Sequence, residues 1–205
     1  NKVNEAITIL EQAAELAPKD AKAWTALGAT LQQGKRLADA KIPFEKALAL
    51  NPKSSGIANN LGAIALGAGE WESALRYFGT ALEIEPNYGP ALANGGIVMT
   101  KKPKFNSSNR KLYSPLIQLL SIGNFMPPAQ LASCILGLLR HDPLIKNLLL
   151  GNNSMTSLNS IIVSLDKLPL LHHLMRLCPL PDMHFEAMFA AMRRLLLENL
   201  DKIET

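Results

Sequence analysis

Only 5% of this chain is aromatic, and nowhere do eighteen apolar residues run together. With few aromatics, a core has to be assembled mostly from aliphatic side chains. Without a long apolar run, no segment reads as a membrane-crossing helix, and no signal peptide opens the chain. Cysteine is scarce as well. Cys134 and Cys178 both sit in apolar helical stretches and read as buried thiols rather than a disulfide, which suits a reducing, cytoplasmic compartment. Charge of one sign is also missing. The net charge is +4, with 11 basic and 10 acidic residues in 1–102 against 10 and 7 in 103–205. Nucleic-acid binding asks for a dense basic stripe, and so small an excess argues against it. Period-two alternation is absent, so no strands are expected. What is abundant is apolar residues, 48% of 205, enough for one large domain or two small ones. The first residue is Asn rather than Met, as expected of a piece of a longer protein.

The groups that catalysis needs do not converge. There is no Gly-rich phosphate loop after a strand and no Gly-Lys-Ser/Thr signature. His172 and His173 are adjacent, so a helix turns them to different faces, and Cys178 follows at a spacing unsuited to a shared metal. His141 and His184 stand alone near helix starts, and the serines of 154–164 have no neighbouring base. No catalytic residue, metal or cofactor is therefore expected, and this chain by itself is read as a non-enzyme.

Its organisation shows at a spacing of 34 residues. Pro18, Pro52 and Pro86 fall into register, as do Ala6, Ala40 and Ala74, then Ala13, Ala47 and Ala81, then Gly28, Gly62 and Gly96. Leu27 with Leu61 and Phe44 with Phe78 complete six columns at one period. The glycines and alanines suit the crossing of two helices, A and B, where a larger side chain would push them apart. The phenylalanines fill the space beyond that crossing. Each proline ends a helix B and turns the chain into the next unit. Such pairs bury their apolar faces only against neighbours, so they stack. Pro43 departs from the pattern. It lies inside a helix B, where a kink or a late helix start is expected.

Trp24-x-x-Leu27-Gly28, then Ala40, Phe44, Ala47 and Pro52, resembles the tetratricopeptide-repeat pattern; the second copy has Ala58 in place of Trp. The resemblance implies an all-α fold. Residues 3–17 would be a lone helix B, 21–52 and 55–86 full pairs, and 89–101 a lone helix A. It also implies that helices A line a concave groove that takes a protein or an extended peptide. The inward sixth position of helix A holds Ala26, Asn60 and Asn94. An amide carries both donor and acceptor and can grip peptide backbone regardless of sequence. Asn60-Leu61-Gly62 is similar to the repeats of O-linked N-acetylglucosamine transferases, which hold substrate chains on a ladder of such asparagines, although Ala26 breaks the series here. The alternative is that Asn60 and Asn94 are consensus residues exposed only to water. Thr25, Gln32, Gln33, Asn59 and Lys101 are expected on the same face, with Asn60 and Asn94 as neighbouring rungs.

The repeat fails after Lys101. Residues 103–112 read as a solvated linker rich in breakers and charge. Leu then supplies 24 of residues 103–205, with helical spacing around 113–122, 128–140, 143–150, 155–165 and 168–178. A last stripe runs through Phe185, Met188, Phe189, Met192, Leu195, Leu196 and Leu200, either as core or as a dock for another domain or a second copy. Residues 165–201, from Leu168-Pro169-Leu170-Leu171 to Arg193-Arg194-Leu195-Leu196-Leu197-Glu198, resemble the helical region between the repeats and the catalytic domain of bacterial S-adenosylmethionine-dependent methyltransferases. The Gly-rich strand-loop-helix for that cofactor is absent. The whole reading is a tetratricopeptide-type helical-hairpin solenoid over 1–102, a linker, and a Leu-rich helical domain over 113–205. Its function would be binding, as an adaptor or substrate-presenting module. The alternative is the non-catalytic front of a methyltransferase or glycosyltransferase.

Overall fold

The computed structural model describes residues 2–101, 103–105, 107–121, 128–149, 166–177 and 186, and every regular element among them is helical. The chain divides into two compact units, Asn1–Val98 and Met99–Thr205.

In the first unit, α1 (Lys2–Leu16), α3 (Leu37–Leu50) and α5 (Trp71–Ile84) are the helices B, and α2 (Ala21–Gln33), α4 (Ser55–Gly67) and α6 (Gly89–Thr100) the helices A. Local chemistry repeats with the period. Asp20 caps α2 by accepting the Lys22 N–H at 2.8 Å, and Ser54, 34 residues on, caps α4 by accepting the Ile57 N–H. Helices α2 and α4 end in the same closure. The Arg36 N–H donates to the Leu31 carbonyl and the Glu70 N–H to the Ala65 carbonyl, both at 2.9 Å. That closure needs a left-handed residue, which is Gly69 (φ 75°) in the second pair but Lys35 (φ 60°) in the first.

The repeat columns are the core. Ala40, Phe44 and Ala47, and likewise Ala74, Phe78 and Ala81, are all at most 1% exposed. A Cβ built on Gly28 would meet the Phe44 ring at 3.0 Å, and one on Gly62 would lie 2.6 Å from Phe78 Cδ1. Glycine is what lets helices A and B cross at those points. Trp24 is held over the preceding turn by its Nε1–H, which donates to the Pro18 carbonyl at 3.0 Å, and Lys46 lies 3.9 Å from its ring centroid. Pro43 delays nothing. Helix α3 starts at Leu37, the counterpart of Trp71, and continues past a buried Pro43 to Leu50. Burial of the ring offsets part of the hydrogen bond that proline removes.

The second unit contains a 3-10 turn at Arg110–Leu112 and helices α7 (Tyr113–Ser121), α8 (Pro128–Leu139), α9 (Pro143–Leu149) and α10 (Pro169–Leu177). Leu112, Leu116, Leu120, Leu131 and Ile135 are almost fully buried, and α10 buries Leu170, Leu171 and Leu174 on its inner face. Ser121 Oγ and His173 Nε2, 2.9 Å apart, join α7 to α10, while His172 is exposed. Residues 103–112 are not solvated throughout, because Pro103, Phe105 and Leu112 are buried. The chain uses them to cover core rather than to span open water. Among the described residues no helix is long and apolar enough to cross a membrane. Cys178, His184, the serines of 154–164, the segment 155–165 and the stripe from Phe185 to Leu200 lie outside the described residues.

Candidate functional site

The helices A carry the candidate groove residues, and their register follows from the glycine crossings. With Gly28 and Gly62 pinned against Phe44 and Phe78, the positions two before each glycine, Ala26 and Asn60, fall on equivalent turns of α2 and α4, and Asn94 on the matching turn of α6. Asn60 is half-buried, and its amide meets no hydrogen-bond partner among the described residues. Asn94 is also half-buried, but it is not a matching rung. Its Nδ2–H donates to Asn59 Oδ1 at 3.1 Å. Asn59 is only 8% exposed and cannot line an open groove as the sequence suggests. The physical reason is desolvation. A carbonyl oxygen at the packed edge of α4 needs a donor, and Asn94 from the next helix A supplies one.

The remaining candidates divide similarly. Thr25 is half-buried and donates its hydroxyl proton to the Ala21 carbonyl at 2.7 Å, so toward a ligand it can only accept. Gln32 is half-buried and Gln33 exposed at the end of α2. Lys101 is exposed and belongs to the second unit, so it is not part of the first unit's set. What is left in the first unit is amides and one hydroxyl, with no titratable side chain. Such a set can hydrogen-bond a ligand but cannot transfer a proton.

The strongest polar cluster lies in the second unit, and sequence reasoning missed it. Asp142, fully buried, accepts from Arg110 Nε (2.8 Å) and Arg110 NH2 (2.9 Å), from the Tyr113 hydroxyl (2.7 Å) and from the Leu144 N–H (2.9 Å). Burial alone would push the Asp142 carboxyl up. The hydrogen bonds from Arg110, Tyr113 and Leu144 outweigh it and hold the group below its usual range. The hydrogen bond to Asp142 also raises the Arg110 pKa, while burial, reinforced by the same carboxylate, raises that of Tyr113. The legible signal was Asp142-Pro143, a helix cap followed by proline at the first helical position. The partners, about 30 residues away, carry no local signature. Every polar atom of the carboxylate is engaged, so this is a structural clasp rather than a reactive site.

Matches to the tetratricopeptide-repeat family cover residues 21–54 and 56–88. No curated protein matches the chain. Among solved structures it is similar to the crystal structure of YrrB, a TPR protein with an unusual peptide-binding site. That likeness has 20% identity and a TM-score of 0.49, and it covers 86% of this chain and 85% of that one.

Proposed function

We propose that this chain, a tetratricopeptide-repeat protein across residues 21–88, is a protein-interaction module whose helices A hold an extended peptide, with Asn60 as the principal backbone contact. The observation that carries this reading is the half-buried Asn60 amide, without a partner among the described residues, on helix A of the second complete pair. An extended peptide offers one N–H and one C=O per residue, and one amide satisfies both. The Asn59–Asn94 hydrogen bond ties α6 to α4 and, among the described residues, leaves one Asn94 amide hydrogen and its oxygen for a ligand.

Magnitudes set the limits. A hydrogen bond contributes about 0.5–1.5 kcal/mol net. Ordering a flexible peptide consumes more than one amide supplies. Affinity must therefore draw on apolar contacts as well, and Ala26, Ala29, Ala63 and Ala93 on the same helices are small enough for backbone to approach closely. The test is selection from a displayed random-peptide library with the full chain, followed by titration of the enriched peptides. Asn60→Ala should weaken their binding about tenfold at unchanged melting temperature. Equal binding by parent and Asn60→Ala would remove the groove as the site.

A further inference from the structure

The second unit contains a cavity of about 340 Å³. Its lining includes the polar Lys104, Ser133, Arg140 and His141 together with Phe105, Cys134 and Gly137. We infer that it is a binding site for a small organic anion, a phosphate or carboxylate group on a compact apolar body.

The volume falls within the range of small-molecule sites, roughly 300–1,000 Å³. Among the described residues the lining charges have one sign: Lys104 and Arg140 are cationic, and no carboxylate of that set borders the space. The nearest acidic side chain in sequence, Asp142, is turned into the Arg110–Tyr113 clasp with both oxygens engaged. A concave wall of one charge sign focuses potential and raises the local concentration of counter-ions. The lining also has an apolar part: Phe105 is 5% exposed and Cys134 4% exposed. Gly137 lies in the last turn of α8, and a Cβ there would touch nothing within 4 Å. The room at Gly137 is therefore open space and not a helix crossing like those at Gly28 and Gly62. A glycine that costs helix stability without relieving a clash is accounted for if a ligand approaches the helix there.

The experiment titrates the full chain calorimetrically with phenyl phosphate, and separately with inorganic phosphate and with phenol. Phenyl phosphate should bind saturably and more tightly than either half of it, and more weakly at higher salt. Lys104→Glu, at an exposed position, should weaken it about tenfold. Gly137→Leu should abolish binding by filling the cavity, and Gly137→Ala should retain it. Melting curves for each variant separate loss of site from loss of fold, and Lys104→Glu decides the matter if Gly137→Leu does not fold. Absence of saturable binding up to about 10 mM, or equal affinity in the parent and Lys104→Glu, would overturn the assignment.

Discussion

At the scale of single residues, two positions 34 apart show how a repeat tolerates unequal copies. Lys35 and Gly69 occupy the same left-handed corner, and only glycine does so without a Cβ penalty. Lys35→Gly should stabilise the first unit by about 0.5–1 kcal/mol, less than the full left-handed cost because glycine also enlarges unfolded-state entropy. Urea titration checks it, and a destabilised variant would show that Lys35 makes a compensating contact. Gly62 is the opposite case. Alanine would gain about 1 kcal/mol of helix propensity but would press a Cβ into a Phe78 ring that is 1% exposed. Overpacking costs about 1–3 kcal/mol, so Gly62→Ala should be neutral to destabilising and Gly62→Leu clearly destabilising. Adding Phe78→Leu should recover part of the Gly62→Leu loss, a coupling measurable in a double-mutant cycle. Asn94→Ala should also lower stability, by about 1–3 kcal/mol, because it strands the buried Asn59 oxygen. Asn60→Ala should not.

At the scale of elements, α3 is the instructive helix. The proline rule argues for a kink or a late start, and the helix keeps the start and length of its counterpart α5. Pro43 forgoes one backbone hydrogen bond, and its buried ring offsets part of that loss. An interior helical proline is worth about 3 kcal/mol less than alanine. Shrinking a buried ring by two methylenes forfeits about 1.6 kcal/mol. Pro43→Ala should therefore stabilise the first unit by roughly 1 kcal/mol. Thermal melts followed by the fluorescence of Trp24 and Trp71, the only tryptophans and both in that unit, read it directly. A lower melting temperature would mean that the ring's packing outweighs the lost hydrogen bond.

At the scale of the whole molecule, the two units should respond differently to acid. Asp142 is held below the ordinary carboxylate value of about 3.9. Its contribution to stability is therefore complete above that value and is lost as pH falls through the lower, folded one. Arg110 is half exposed, so solvent screens part of the clasp, yet protonating Asp142 also removes a buried acceptor from Tyr113. On acidification below about pH 4, helix content by circular dichroism should fall before tryptophan fluorescence changes. Asp142→Asn should shift that first transition toward neutral pH. Coincident transitions for both probes would show that Asp142 does not govern the second unit's acid response.

The sequence by itself determined the helical class, the 34-residue register and the glycine crossings. All of these arise from contacts between neighbouring elements, whose small, aromatic and turn-forming residues recur at one spacing. Helices around 113–122, 128–140, 143–150 and 168–178 were legible for the same reason, since apolar periodicity is local. Tertiary structure alone decided how polar groups are distributed. It pairs Asn94 with Asn59 and leaves Asn60 open, closes Asp142 on Arg110 and Tyr113, buries Phe105 in an apparent linker, and opens space beside Gly137. A polar side chain's partner depends on which groups lose water when helices pack, and residues about 30 positions apart carry no periodic mark of that meeting.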